Sequence, residues 1–224
     1  MTKSIELPPA IIQSLGLSAK EIYETAITLL KRFSVDGTIL DYGSGQGRLL
    51  SALADLGFKD LCGADLMPRP KDLSSEFKWV EADLNKSLPA ENEAFQTILA
   101  IEVIEHLENP RAMVRDLYRL LKKNGQLIMS TPNNGSIRSI LALILRGHFI
   151  SFLERDYPAH ITALTQLDIQ RILQEAGFSE IQFHYTKKGL IPGLKGLTWQ
   201  TLSFGFLQGK LFSDNIFVTA KKKV

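Results

Sequence analysis

An open α/β fold, with a mostly parallel sheet covered by helices on both faces, is what this sequence predicts. Three observations lead there. Short apolar runs alternate with stretches of helical periodicity along most of the chain, the pattern of strand–helix–strand units rather than of hairpins. Glycines at alternate positions, Gly43, Gly45 and Gly47, stand where a predicted strand gives way to a predicted helix. Finally, 224 residues with 45% hydrophobic content can bury a sizeable core without disulfides or metal staples.

The elements follow in order. Ile22, Ala26, Leu29 and Leu30 are spaced as one helical face within Ser18 to Phe33, with Ser18 as N-cap and Glu21 three residues on. A turn at Asp36-Gly37 precedes the first strand, Thr38-Ile39-Leu40 ending in Asp41, and Arg48 to Leu56 resumes a helix after the glycines. Leu61 to Asp65, Phe77 to Val80, Thr97 to Ile101 and Gln126 to Ser130 are the next strands. The last of them is reached through a helix from Pro110 to Lys122 and a turn at Asn124-Gly125. Thr165 to Ala176 is a helix closed by Gly177, and Glu180 to His184 and Asn215 to Ala220 complete the sheet. Two insertions, near 135–160 and 189–213, break this rhythm. Ile137 to Leu153 is apolar apart from Arg138, Arg146 and His148, and the second is rich in Gly, Trp199, Phe204, Phe206 and Phe212. On the carboxyl side of a parallel sheet such segments build the substrate side of a site.

Bulk properties exclude several classes. A formal charge of +2, from 26 basic and 24 acidic residues, gives no electrostatic case for nucleic acid as a partner. The basic end Lys221-Lys222-Lys223 is short and expected to be solvated. Cys62 is the only cysteine, in an apolar run where a buried thiol is expected, so no intramolecular disulfide and no multi-cysteine metal site can form. The N-terminal residues carry no signal-peptide pattern, and no apolar run reaches the ~18 residues of a spanning helix. A cytoplasmic protein is the expectation, with the oligomeric state open.

The glycine segment carries the strongest chemical signal. Glycines let the backbone turn sharply at a strand end and are expected to approach a ligand with no Cβ in the way. The helix that follows presents free N–H groups. A dinucleotide fingerprint needs a third glycine where Arg48 stands, and the Gly-Lys-Ser/Thr of a phosphate-binding P-loop is missing. Asp65 closes the second strand, where a carboxylate can accept from both hydroxyls of a ribose. Asp83 follows the third strand; its carboxylate could accept from an adenine amino group while Leu84 packs on the ring. Three acids, Asp41, Asp65 and Asp83, thus end three consecutive strands and form one wall of a crevice.

From Thr38 to Asn134 the chain resembles the Rossmann-like, class I S-adenosylmethionine-dependent methyltransferases. Asp41-x-Gly-x-Gly-x-Gly is similar to that family's first motif, Gly63-Ala64-Asp65 to its second, and Ala82-Asp83-Leu84 to its adenine-side motif. Ile101-Glu102-Val103-Ile104-Glu105-His106-Leu107, Leu121 to Leu127, Thr131-Pro132-Asn133, His160 and Ala176-Gly177-Phe178 resemble the small-molecule branch, notably ubiquinone-biosynthesis O-methyltransferases. Gln96 departs from the acid often found before the fourth strand, and the final third matches weakly. The resemblance implies one domain over 1–224 with sheet order 3-2-1-4-5-7-6, the seventh strand antiparallel. It implies S-adenosyl-L-methionine as donor and S-adenosyl-L-homocysteine as product. The holding residues would be Asp41, Gly43, Ser44, Gly45, Gln46, Gly47, Asp65, Leu66, Asp83, Leu84, Ile101 and Glu102.

Methyl transfer is an in-line displacement, so holding the acceptor at near-attack distance supplies much of the catalysis. A base helps where the acceptor is a phenol or another protonated hydroxyl. His106 and His160 are the candidate catalytic residues, ahead of His148 and His184, because imidazole titrates near neutrality. The Asn/Asp-Pro-Pro-Tyr signature of amino-methylating enzymes is replaced by Ala100-Ile101-Glu102-Val103, which favours O-methylation of a small molecule. Glu102 and Asn133 have oxygen atoms that suit a divalent cation, but nothing in the spacing joins them, and no metal is expected. The insertions point to a substrate cap for an apolar or lipid-like acceptor, with peripheral membrane contact through Ile137 to Leu153. A non-catalytic adenosylmethionine-binding module and a nicotinamide-dependent oxidoreductase are the alternatives.

Overall fold

A computed structural model of the chain describes residues 16–33, 37–194 and 196–223. The expected turn residue Asp36 and the N-terminal residues read for a signal peptide lie outside the described residues. Helix α1 is Lys20–Leu30, followed by strand β1 (Ile39–Tyr42), helix α2 (Arg48–Asp55) and strands β2 (Leu61–Asp65), β3 (Lys78–Glu81) and β4 (Phe95–Ile101). Helix α3 (Pro110–Leu120) leads directly into β5 (Leu121–Pro132). Helix α4 (Ile137–Arg146), α5 (Gln166–Ala176), β6 (Phe178–Tyr185), the short α6 (Trp199–Leu202) and β7 (Asn215–Lys222) complete the described elements. The strands form one seven-stranded sheet in the order β3-β2-β1-β4-β5-β7-β6. β7 runs antiparallel to both of its neighbours, and the pairings from β3 to β5 are parallel. The fold class and strand order are those expected from the sequence.

Alternate strand residues feed two cores, one on each face. Ile39, Leu99, Ile101, Ile128 and Phe217 pack with Ile22, Ala26, Leu29 and Leu30 of α1 and Leu49, Leu50 and Leu53 of α2. Leu40, Ile98, Ala100, Leu127 and Met129 face the other way, onto Met113, Val114 and Leu117 of α3 and Ile169, Ile172 and Leu173 of α5. Period-two alternation in the strands meets the 3.6-residue stripes of the helices, and Cys62 is buried between them as expected. Asn109 caps α3 by accepting from the Ala112 amide, with Pro110 at the first helical position. Thr165 and Asp168 form a capping box at α5, which Gly177 ends in the left-handed region at φ +101°.

Three local expectations change. Ser18 does not cap α1: Ala19 holds that position without a side-chain bond, and the Ser18 amide donates to the Tyr23 hydroxyl. The expected turn at Asn124-Gly125 is an irregularity inside β5, whose register jumps from Phe95 opposite Leu121 to Thr97 opposite Gln126. Asn124 takes φ +59° there. The basic end is not all solvated, because β7 runs through Lys222. Its Nζ donates to the Leu121 carbonyl at 2.8 Å, pairs with Glu93 at 3.3 Å and lies 4.8 Å from the Tyr118 ring centroid. Lys221 pairs with Glu180 at 2.8 Å.

Lys222→Ala leaves the Leu121 carbonyl without its donor and is expected to cost about 1–3 kcal/mol of unfolding free energy. Lys223→Ala, at an exposed position, should change it by less than ~0.5 kcal/mol. Urea denaturation of both variants checks this, and equal midpoints would return Lys222 to the solvated class.

Candidate active site

The carboxyl ends of β1, β2 and β4 meet at one edge of the sheet, where parallel α/β folds gather their functional groups. After β1 the backbone turns through Gly43, Gly45 and Gly47 at φ +82°, +51° and +69°, a region that L side chains rarely enter. The missing Cβ atoms at these positions also make room for the protein itself. A Cβ on Gly43 would lie 2.4 Å from Val103 Cγ2, on Gly45 2.2 Å from the Gly16 carbonyl oxygen, and on Gly47 2.6 Å from Leu73 Cδ1. Gly16 therefore lies across the loop, and the Gln46 amide donates to its oxygen.

Asp65 clamps this loop to the end of β2. Its two oxygens accept from the Gly45 amide at 2.7 Å and the Met67 amide at 2.8 Å. A carboxylate offers about four acceptor positions, so lone pairs remain for a ribose diol. Burial raises its pKa, while the Met67 and Gly45 amides and nearby His106 work against that rise. Asp41 is buried beneath the loop and accepts from Ser44 Oγ at 2.7 Å; burial pushes its pKa up to about 7. Asp83 sits in the turn after β3, accepting from the Asn85 amide at 3.0 Å and pairing with Lys86 at 3.3 Å. Burial raises its pKa, but the Asn85 and Lys86 interactions together outweigh it and leave the carboxyl below its ordinary value. The Tyr42 hydroxyl donates to the carbonyl of buried Leu84, tying that turn to β1. Ile101 is buried at the end of β4, and Leu66 is half-buried beside Asp65.

Glu102 ends β4 at φ +55°, a conformation costing of order 1–3 kcal/mol for a residue with a Cβ. Its amide donates to Ser130, and its carboxylate accepts from Ser130 Oγ at 2.7 Å and Asn215 Nδ2 at 2.8 Å. Burial, then the adjacent Glu105, drives its pKa well above the carboxylate range. Glu102 thus braces β4 against β5 and β7. The cation pairing weighed for Glu102 and Asn133 is not formed: Asn133 donates to the carbonyls of Lys210 and Ser213 and accepts from the Gly135 amide.

His106 and His160, more than fifty residues apart, come together with ring centroids 4.8 Å apart at 65°. His106 Nδ1 lies 2.7 Å from the Ala159 carbonyl, and His160 Nδ1 lies 2.6 Å from the Ser151 carbonyl. A carbonyl can only accept, so both Nδ1 atoms carry protons and the neutral rings present basic Nε2 atoms. Burial lowers both pKa values. His184 bonds Thr219 on the sheet and His148 contacts the Phe149 carbonyl, so neither joins the pair.

Glu105 was not among the expected site residues. It has no solvent exposure, accepts from Thr131 Oγ1 at 3.0 Å, and has one oxygen, Oε1, with no hydrogen-bond partner. Burial pushes its pKa up to about 7. Its carboxylate and one nitrogen from each of His106 and His160 lie within 4.8 Å of one another, a donor set that could hold a divalent cation. The Glu-His dipeptide was legible in the sequence; the approach of the distant His160 was not. An open groove of about 440 Å³ beside α2, lined by Gln46 and Arg48, and one of about 270 Å³ beside α3, lined by Leu84, do not include these three groups.

A profile of the methyltransferase-domain family matches residues 18–182. A ubiquinone biosynthesis O-methyltransferase of Roseobacter denitrificans is 27% identical over 195 residues, covering 83% of this chain and 73% of that protein. The protein of the same name from Pseudomonas putida is 30% identical over 136 residues, 56% of this chain and 57% of the relative, so the match spans little more than half of it. A SAM-dependent methyltransferase from Archaeoglobus fulgidus shares the fold at TM-score 0.64 and 18% identity, over 94% of this chain and 97% of that one.

Asp41 gives the site a measurable pH signature. An unfolded aspartate titrates near about 3.9, whereas the folded one is raised to about 7. Between those values the fold holds a proton that the unfolded chain has released, so this group lowers stability progressively as pH rises through that window. Asp41→Asn does not titrate and keeps an acceptor for Ser44. The difference in unfolding free energy should therefore move in the variant's favour from pH 5 to pH 8, as read by urea denaturation. A constant difference would mean that Asp41 titrates as an ordinary carboxylate.

Proposed function

The chain belongs to the methyltransferase-domain family and is a class I S-adenosylmethionine-dependent methyltransferase; from that premise we propose that it methylates a hydroxyl of a small apolar molecule. The observation that carries this reading is the His106–His160 pair, two neutral imidazoles side by side at the carboxyl edge of the sheet. An amine acceptor that is already neutral needs no base, whereas a phenol must lose its proton as the oxygen is methylated. Bound S-adenosylmethionine supplies an electrophilic methyl group on a sulfonium. Asp65 offers its remaining lone pairs to the ribose hydroxyls, and the Gly43–Gly47 loop forms the floor beside it. His106 or His160 takes the acceptor's proton at Nε2, with the ring held in place by its bond to Ala159 or Ser151. The insertions near 135–160 and 189–213 form the cap on the acceptor side, consistent with their apolar composition.

One observation favours a second reading. The unpartnered Oε1 of Glu105 beside His106 and His160 suits a divalent cation, which would occupy the Nε2 lone pairs and polarise the acceptor oxygen itself.

With methyl-labelled cofactor and an alkylcatechol as probe acceptor, label is expected on a hydroxyl. His106→Ala or His160→Ala should lower kcat by about 10²–10⁴ with the Kd for S-adenosylmethionine little changed. Label accepted by primary amines and by no hydroxyl would overturn the proposal. Chelation separates the two readings: activity lost to EDTA and restored by Mg²⁺, Mn²⁺ or Zn²⁺ selects the cation, and undiminished activity selects the histidine base.

A further inference from the structure

Helix α4 turns its apolar side outward. Ser139 and Ala142, both small, face the protein and are buried, while Ile140, Leu141, Leu143, Ile144 and Leu145 are exposed. Ile144 is 71% exposed and Leu145 76%. Beside it, the segment between β6 and β7 presents Phe204 at 93% and Phe206 at 88% exposure, with Phe204 held at φ +51° in a tight turn. The two segments adjoin: α4 packs against the 210–212 turn, and Asn133, just before the helix, donates to the Lys210 carbonyl. Both leave the sheet at the carboxyl edge that carries His106 and His160. A cluster of apolar side chains so openly exposed is a docking surface rather than ordinary surface variation.

Charge identifies what docks. Residues 135–153 and 187–212 contain no Asp or Glu, although the chain has 24 acids in all. Arg146, Lys187, Lys188 and Lys210 of these two segments are exposed, and Arg138 pairs with Asp214. A second copy would bring the same cationic surface and repel it. An anionic lipid surface complements both features, taking the side chains of Leu145 and Phe204 into the acyl boundary and the cations among its headgroups. No described helix is long and apolar enough to cross a bilayer.

We infer that α4 and the Phe204–Phe206 turn form one interfacial docking surface that seats the carboxyl edge of the sheet on an anionic phospholipid membrane. The docking stands independently of which atom is methylated.

Cosedimentation of the full chain with phosphatidylcholine vesicles, with and without phosphatidylglycerol, tests it. Binding is expected to the anionic vesicles, to weaken with added salt, and to be lower on phosphatidylcholine alone. Leu145→Glu, and separately the pair Phe204→Ser and Phe206→Ser, should each lower the partition coefficient by about tenfold or more, with Tm and S-adenosylmethionine affinity unchanged. A wild-type protein left in the supernatant with both vesicle types would overturn the inference, as would variants that sediment like wild type. So would a wild-type dimer in sedimentation velocity that Leu145→Glu splits, because the surface would then join two copies.

Discussion

The bond from the Gly45 amide to the Asp65 carboxylate, 2.7 Å long, is the contact around which the site is arranged. It fastens the loop after β1 to the end of β2, while the Gly43 and Ser44 amides bond the Ala64 carbonyl. A backbone at positive φ through three glycines stays in place only when its surroundings hold it. Here Asp65, Ala64 and the Gly16 carbonyl do so from separate directions. The hydrogen bonds from the Gly45 and Met67 amides use two of about four acceptor positions of this carboxylate.

Buried acids recur around this clamp, and their partners decide what each can do. Glu102 has both oxygens bonded across three strands, so it stiffens the sheet edge. Asp83 is drawn into its own turn by the Asn85 amide and Lys86. Glu105 alone among these carboxylates has a buried oxygen with no partner, next to two imidazoles whose outward nitrogens are basic. In a low-dielectric site such a group is costly unless a proton, a cation or a substrate completes it. Among these groups, the unsatisfied polar atoms therefore gather at Glu105, His106 and His160 rather than along the row of acids.

A shared fold carries many activities, and the distinguishing features lie in what is grafted onto it. In this chain those grafts are the segments after β5 and after β6. They contribute little to the two cores and instead expose large apolar side chains within stretches, 135–153 and 187–212, that contain no acid. Their position at the carboxyl edge couples whatever they contact to the site beneath.

Local pattern was enough for much of this. The apolar run Ile98 to Ile101, the Thr165–Asp168 capping box and Gly177 each determine an element from a few adjacent residues, because such patterns and cap chemistry are local. The glycine loop and Asp65 were legible for the same reason, one at each end of neighbouring strands. The misread position depended on distant partners: Lys222 is buried because it reaches Leu121 and Glu93. The close approach of Gly16 to Gly45 has no local signature either. By itself the sequence determined the α/β architecture, the clamp residues and two histidines worth pairing. Only the tertiary structure decided that those histidines meet beside an unpartnered Glu105, and that α4 turns its leucines to the outside. Neighbours brought together by chain crossovers have no signature in local spacing.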